Sequence, residues 1–485
     1  MKPLVLRPYQ EDAIQQARDR LKAGRRAPLL VAPTGAGKSA IFSAMVVKHL
    51  AVGPQCRVLI VVHRKELLQQ TAKTLIRSGV PMTDVGEICP GTRPRPSARV
   101  QIATIQTLLA REVWPHATLV IPDEAHHYSG TPEWAQLAAR YPNAVIVGFT
   151  ATPMRSDGRG MSPAFDSLVV VSTIKELTAL GYLVPCRVIA SKPLKRPNMS
   201  HTPVDAYLAH AKGMRTVVFA DFVVNAERFR DEFLEKGTPA VVIHGELSEG
   251  DRTAALRAHA DGAVLVNCMV LTEGWDSPAT SCCILARGCG SVGTYLQIVG
   301  RVLRTAPGKD EALLIDLTGR SFETHGPPDS DRVYSLTGKG IRKKAEDEDV
   351  GPSCPVCGQT VEPGEPCEVC GYVAANTSQV EAPNYTGDEL VERYAGKRSE
   401  DDEKRIDTLA RWYAEAKARG NRPWAALAKY KHVYGEDASP TIRMAGEHLA
   451  RTLACVPCKQ CAKVTARTYQ GGLCGRCAFG KKKAG

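Results

Sequence analysis

The chain has 485 residues, 44% hydrophobic and 24% charged, the balance of an ordinary globular protein with length for about three or four domains. No apolar stretch approaches a membrane span and the first eight residues lack a signal peptide's apolar core, so membrane-spanning and secreted classes are set aside and cytoplasmic residence is expected. Lys and Arg outnumber Asp and Glu by 63 to 51, a net charge of +12, which points to a polyanionic partner.

In chain order, residues 28–31 read as a short buried strand and residues 40–47 as a helix. Between them lies Ala32-Pro33-Thr34-Gly35-Ala36-Gly37-Lys38-Ser39. A strand, a glycine-rich loop and a helix in that order form a nucleotide-phosphate cradle. Pro33, Thr34, Gly35, Ala36 and Gly37 wrap the phosphates. Lys38 carries charge to the β- and γ-phosphates, and the Ser39 hydroxyl suits Mg²⁺. The first position is Ala32 where the usual pattern has glycine.

Further strands are expected at 58–62, 100–104, 119–123 and 144–148, separated by helical stretches. Continuous apolar strands between helices predict a parallel sheet covered on both faces. Asp123 ends one strand, which places it at the sheet edge beside the cradle, where it can hold Mg²⁺. Glu124 beside it can orient and deprotonate an attacking water.

A second series of strands is expected at 216–220, 240–243, 263–267, 282–286 and 312–316, with a linker at 192–197. The run Gln297 to Arg304 is expected on a helix. Arg301 and Arg304, three apart, would share one face and reach a γ-phosphate as arginine fingers.

Nine of the sixteen cysteines lie after residue 350, eight of them in CxxC pairs. Cys354, Cys357, Cys367 and Cys370 have the spacing C-x2-C-x9-C-x2-C of a tetrahedral zinc site. Cys458, Cys461, Cys474 and Cys477 give C-x2-C-x12-C-x2-C, with Cys455 able to replace Cys461. Nine basic groups against one acidic group in residues 441–485 surround the second set, which suits nucleic acid or a docking protein. The other seven cysteines read as small buried hydrophobes. Residues 374–398 read as a polar linker. Ile406, Leu409, Tyr413 and Ala416 fall at helical spacing before Gly420, and Asn421-Arg422-Pro423 opens another helix that Gly435 ends. Trp412, Tyr413, Trp424 and Tyr434 are core aromatics of that unit or, less simply, base-stacking platforms.

These motifs, in this order over residues 4–330, resemble the superfamily 2 helicases. Leu6-Arg7-Pro8-Tyr9-Gln10 looks like the Q-type motif, Val61 to Leu67 like motif Ia and Ala103 to Leu108 like Ib. Asp123-Glu124-Ala125-His126-His127 looks like motif II in its DEAH form, Thr150 to Arg155 like III, Val270 to Asp276 like V, and Gln297 to Arg304 like VI. Ala151 to Gly158, Gly181 to Pro185, His244-Gly245 with Arg252, and Thr272 to Asp276 resemble the XPB-like branch and, within it, RadD-like bacterial and phage helicases. The segment Arg287-Gly288-Cys289-Gly290-Ser291 departs from that branch's pattern.

The resemblance implies an α/β fold of two RecA-like parallel-sheet domains in tandem, at 1–185 and 186–340. Small zinc-binding and helical modules would follow at 350–373, 396–453 and 454–485. It implies ATP hydrolysis with Mg²⁺, and Zn²⁺ in about two sites. Gln10 with Arg7 would read adenine, Gly274 and Asp276 would complete the nucleotide site, and Gln297 would join the arginines. His126, Thr150 and Thr152 would couple hydrolysis to strand movement, and His63, Arg64, Thr104 and Thr272 would touch the strand. The expected partner is single-stranded or forked DNA in repair, recombination or phage replication, alongside replication or repair proteins. An RNA helicase, a duplex translocase that does not unwind, and a zinc scaffold without enzymatic activity stand as alternatives.

Overall fold

The computed structural model describes residues 5–155, 159–195, 198–268, 270–271, 275–337, 382–396, 400–418, 424–434, 456–457 and 464–465. They fall into two compact units, residues 1–173 with 184–395, and residues 174–183 with 396–485.

The first unit holds two lobes. In the first lobe the order is α1 (Pro8–Lys22), β1 (Pro28–Val31), α2 (Lys38–Leu50), β2 (Val58–Val62), α3 (Lys65–Arg77), β3 (Val85–Ile88), β4 (Val100–Thr104), α4 (Ile105–Arg111), β5 (Leu119–Pro122), α5 (Pro132–Arg140), β6 (Val145–Ile146), β7 (Gly148–Thr150) and β8 (Ser167–Val170). Strands β3-β4-β2-β5-β6 form one ladder and β7-β1-β8 another, every pair parallel. β1, β2, β4 and β5 are buried along their whole length, as their unbroken apolar runs require under helices on both faces.

The single strand expected at 144–148 is instead two short strands that join the ladders. The Val147 amide still donates to the Val120 carbonyl at 2.9 Å, and Gly148 then pairs with Leu29 of β1. A β-carbon at Gly148 would collide with the ring of Phe165, so glycine lets that ring close over the junction.

The short helix α6 (Ile174–Ala179) belongs to the second unit. The second lobe continues with β9 (Cys186–Ala190), α7 (Pro203–His210), β10 (Thr216–Ala220), α8 (Val223–Glu235), β11 (Ala240–Ile243), α9 (Glu249–Ala260), β12 (Val264–Cys268), β13 (Cys282–Leu285), α10 (Val292–Val302), β14 (Ala312–Asp316), α11 (Arg320–His325) and β15 (Val391–Tyr394). Its sheet has the order β11-β12-β10-β13-β14-β9-β15, parallel except for β15. The fold is therefore α/β with two parallel-sheet, RecA-like lobes.

Two expectations change here. Residues 192–197 do not link the lobes: β9, which precedes them, already pairs with β14, and the Leu194 amide donates to the Thr318 carbonyl at 2.9 Å. Residues 382–396 are no loose linker either. The Met199 amide donates to Asn384, Thr386 donates back to Met199, and β15 closes the sheet edge against β9 with a bulge. Glu392 and Arg393 keep that edge polar, which blunts further strand addition and hides the strand from an apolar-pattern reading. Before this, the chain has already returned to the first lobe. Tyr334 and Leu336 pack on its core, and the Leu336 carbonyl accepts from the amides of Met161 and Ser162 at 2.7 and 2.9 Å.

The second unit also contains α12 (Glu400–Ala418), α13 (Trp424–Tyr434) and the small antiparallel pair β16 (Val456–Pro457) and β17 (Val464–Thr465). Leu409, Tyr413 and Tyr430 are buried. The Lys429 ammonium sits 4.6 Å from the Trp412 ring centre and the Arg405 guanidinium 5.1 Å from that of Tyr434. Tyr413 thus packs in the core of the helical unit, while Trp412 and Tyr434 are half-buried beneath those cations. The side chain of Trp424 lies outside the described residues, as do all nine C-terminal cysteines.

Candidate functional site

The phosphate loop leaves β1 with the Ala32 amide donating to the Thr150 carbonyl at 2.9 Å, so the cradle is fastened to the neighbouring strand end. Gly35 (φ 92°) and Gly37 (φ 79°) take left-handed conformations that glycine adopts without steric cost. α2 begins at Lys38; the Ala40 and Ile41 amides donate to the Gly37 carbonyl at 2.9 and 3.2 Å, while those of Lys38 and Ser39, the first two of the helix, stand before any carbonyl the helix could offer them. The Ala36 carbonyl accepts from the Tyr9 hydroxyl at 2.8 Å and from the Gln10 side-chain amide at 2.9 Å. Gln10 also accepts from the Arg7 backbone amide at 2.9 Å. The Q-type segment thus braces the loop from behind.

A β-carbon at Gly37 would fall 2.5 Å from the Gln10 amide nitrogen. Gly37→Ala is therefore expected to strain the loop by roughly 1–2 kcal/mol. Titration with a fluorescent ATP analogue should read this as roughly tenfold weaker binding.

Asp123 follows β5. Its amide donates to the Val61 carbonyl at 2.9 Å, and its carboxylate accepts from the Glu124 amide at 3.0 Å. Burial, and then the charge of Glu124, push the Asp123 carboxyl up to about 6, while Lys38 opposes them. Glu124 pairs with the Lys38 ammonium and sits at φ 48°, a left-handed conformation uncommon for a residue with a side chain. His126 Nδ1 lies 3.0 Å from the Thr150 hydroxyl and 3.5 Å from Glu124 Oε2. The Thr150 hydroxyl donates to the Thr152 carbonyl at 2.7 Å and accepts from the Thr152 amide at 3.2 Å. The Lys38–Glu124 pair and the hydrogen-bonded set of His126, Thr150 and Thr152 therefore adjoin through the 3.5 Å contact of His126 with Glu124, with Asp123 beside them.

The donor set fits Mg²⁺ and a triphosphate. A buried carboxylate whose proton affinity is raised by burial is short of positive charge, which a divalent ion would supply. A lysine paired with a carboxylate at the loop can exchange that partner for phosphate oxygens. The folded state holds the Asp123 proton more tightly than the unfolded chain does, so that stabilisation is present below about pH 4 and is lost as pH rises through about 6. Mg²⁺ needs the ionised form. The gain in melting temperature from Mg²⁺–ADP should be small at pH 5, rise with a midpoint near 6, and be complete by about pH 7.5. A melting series across that range checks it.

α10 of the second lobe lies directly on this machinery. Ser291 caps it, accepting from the Thr294 amide at 3.1 Å. A β-carbon at Gly300 would fall 2.5 Å from that of Thr34, and one at Gly293 would fall 2.9 Å from the Thr152 hydroxyl. Both glycines let the helix backbone approach the cradle closely. Gln297 and Arg301 are buried on the same helix.

Arg301 and Arg304 do not share a helix face as expected. α10 ends at Val302, Leu303 is its cap, and Arg304 lies beyond. The apolar residues Val302 and Leu303 between the two arginines do not reveal that stop in the sequence. The Arg301 guanidinium donates to the Trp275 carbonyl at 2.7 Å, and Arg304 pairs with Asp276. The arginines thus meet residues of the motif V segment. Thr272 and Gly274 of that segment lie outside the described residues.

Two clefts lie beside the site. One, of about 550 Å³, is walled by Arg64, Lys65 and Gln70 around the start of α3, and by Arg252, Thr253 and Trp275 of the second lobe. The other, of about 730 Å³, is walled by His63, Arg64, Gln106 and His127. Arg64 borders both. Thr104 borders neither; it is buried, with its hydroxyl 2.7 Å from that of Thr107. Sequence reasoning gave no role to Lys65, Gln70 or His127. His127 closed the segment that resembles motif II, and that position was the signal available.

The seven described cysteines are free and buried. Burial pushes the Cys268 thiol up to about 11 and Cys282 up to about 12, so these stay neutral and act as small core side chains. Among the described residues no helix is long and apolar enough to cross a membrane.

Comparison with known proteins places both lobes. Residues 3–155 match the family model described as type III restriction enzyme, res subunit, and residues 201–306 match the helicase conserved C-terminal domain. The chain is 26% identical over 423 residues to a "51.5 kDa protein" of a Lactococcus phage, covering 81% of this chain and 89% of that one. It is 29% identical over 354 residues to the "Putative mitochondrial ATP-dependent helicase irc3" of Schizosaccharomyces pombe, covering 64% of this chain and 57% of that one. A solved fragment described as an HsdR subunit of a type I restriction enzyme from Vibrio vulnificus shares the fold, with a TM-score of 0.54 at 21% identity, covering 69% of this chain and 67% of that one. Two helicase family models in this order along one chain, laid over two parallel-sheet lobes that meet at a phosphate loop, make this protein an ATP-hydrolysing helicase of superfamily 2.

Proposed function

We propose that this helicase moves on DNA and unwinds it by closing and opening its two lobes around ATP. Lys38 and residues 33–37 take the phosphates, Ser39 and Asp123 hold Mg²⁺, and Glu124 orients and deprotonates the attacking water. Gln10 with Arg7 meets adenine. Gln297, Arg301 and Arg304, with Gly274 and Asp276, bring the second lobe to the nucleotide. His126, Thr150 and Thr152 pass the state of that site onward. His63, Arg64 and Thr272 contact the strand, whereas the engaged hydroxyl of Thr104 suits it to support the start of α4.

The observation that carries this reading is the cleft of about 550 Å³ walled by α3 on one side and by α9 and Trp275 on the other. A strand seated there is held by both lobes, so any change in their spacing changes the grip. Arg64, Lys65 and Arg252 suit its phosphates, and affinity should fall steeply with salt. DNA rather than RNA is favoured by the match of residues 3–155 to a restriction-enzyme family, since restriction enzymes act on DNA. The spacing of the C-terminal cysteines supports structural Zn²⁺ in two modules, which also suit nucleic acid or replication and repair proteins as partners. The XPB-like, RadD-like phrases and the phage relative support a cytoplasmic role in repair, recombination or phage replication.

The test is ATP hydrolysis by the full-length protein with single-stranded, forked and duplex DNA and with single-stranded RNA, Lys38→Ala serving as the blank. Stimulation chiefly by single-stranded or forked DNA supports the reading. Stimulation by RNA alone, or by duplex alone, overturns it in favour of an RNA helicase or a duplex translocase.

A further inference from the structure

We propose that His127 is a positioning residue that carries occupancy of the adjacent cleft to Glu124, a role that rests on the strand-motor reading above. Bound DNA then sets the general base, not merely the distance between lobes.

Three imidazoles form one stack. The His127 ring lies 4.2 Å from that of His63, with an angle of 38° between planes, and 4.2 Å from that of His126, at 37°. The inner end of the stack is catalytic: His126 Nδ1 is 3.5 Å from Glu124 Oε2 and 3.0 Å from the Thr150 hydroxyl. The middle ring is open to solvent. His127 is exposed, and with His63, Arg64 and Gln106 it walls the cleft of about 730 Å³. A guanidinium beside imidazole faces suits a phosphate followed by a base, the chemistry of a nucleic-acid strand.

The backbone under the stack is suited to switching. Ala125–His127 is a single 3-10 turn, and its cap, Glu124, sits at φ 48° and ψ 52°. A non-glycine residue held there is kept by its surroundings, and a short turn moves as one piece. The Glu124 carboxylate is now paired with Lys38. ATP phosphates take Lys38 and release the carboxylate from that pair, and its aim at a water then rests on the turn that holds it. A base entering the cleft displaces the His127 ring, the ring shifts the turn, and the turn re-aims Glu124. Without a strand, the turn leaves Glu124 aimed away from the water and turnover stays low.

The experiment measures ATP turnover with and without oligodeoxythymidylate, and DNA affinity by fluorescence anisotropy, on the full-length protein. His127→Ala should lower the ratio of stimulated to basal turnover roughly tenfold, while DNA affinity shifts far less. His127→Phe, which keeps a flat ring in the stack, should restore most of the ratio. Ala110→Trp fills the same cleft from an exposed position on α4, with every residue of the turn left as it is, and should also lower the ratio. It decides the matter if His127→Ala melts well below wild type. An unchanged ratio in His127→Ala, or a loss of ratio matched by an equal loss of affinity, overturns the role while leaving the motor reading intact. A wild-type protein that no nucleic acid stimulates overturns both.

Discussion

Glu124→Gln should lower kcat for ATP hydrolysis by two to four orders of magnitude, roughly the contribution of a positioned general base. Its ATP affinity should hold or rise, because the substitution removes the carboxylate that occupies Lys38 in the ligand-free protein. Lys38→Ala removes the other half of the same pair, and the expected loss lies in binding as well as turnover. The two variants therefore separate in equilibrium titrations with a fluorescent ATP analogue though both are nearly inactive. If Glu124→Gln retains more than about a tenth of wild-type kcat, Glu124 is a structural cap and the base lies elsewhere.

The second large effect belongs to Arg301. As an arginine finger it should contribute on the order of 10³–10⁵ to kcat, with little effect on ATP affinity measured without turnover. Its guanidinium donates to the Trp275 carbonyl, which offers a simpler explanation for any loss, namely a collapsed motif V segment. Arg301→Gln distinguishes the two, because the amide can still donate to that carbonyl but carries no charge. Full inactivity of both Arg301→Ala and Arg301→Gln in single-turnover hydrolysis supports the finger. Substantial rescue by glutamine assigns Arg301 to bracing Trp275.

The two lobes were legible because their strands are unbroken apolar runs. Residues 58–62, 100–104, 216–220 and 312–316 form strands over those same bounds. The phosphate loop was equally plain, since Gly35 and Gly37 are needed for backbone conformations that few other residues adopt. What escaped had no such local signature. β15 holds two charged residues on a sheet edge and is specified by pairing with β9, some two hundred residues earlier. Arg304 falls off its helix because α10 stops at Val302, and neither glycine nor proline marks that stop. Gly300 and Gly293 look like helix-weakening residues until Thr34 and Thr152 appear beneath them. The histidine stack brings together side chains separated by more than sixty positions, which spacing along the chain does not encode.

The chain's return to the first lobe has a mechanical consequence. Tyr334 and Leu336 are moored on the first lobe, while residues from Asn384 to Tyr394 are moored on the second. The chain therefore joins the two lobes a second time, somewhere between residue 337 and residue 382. Any change in the spacing of the lobes has to be accommodated at that second connection as well as at the one that leads from β8 to β9.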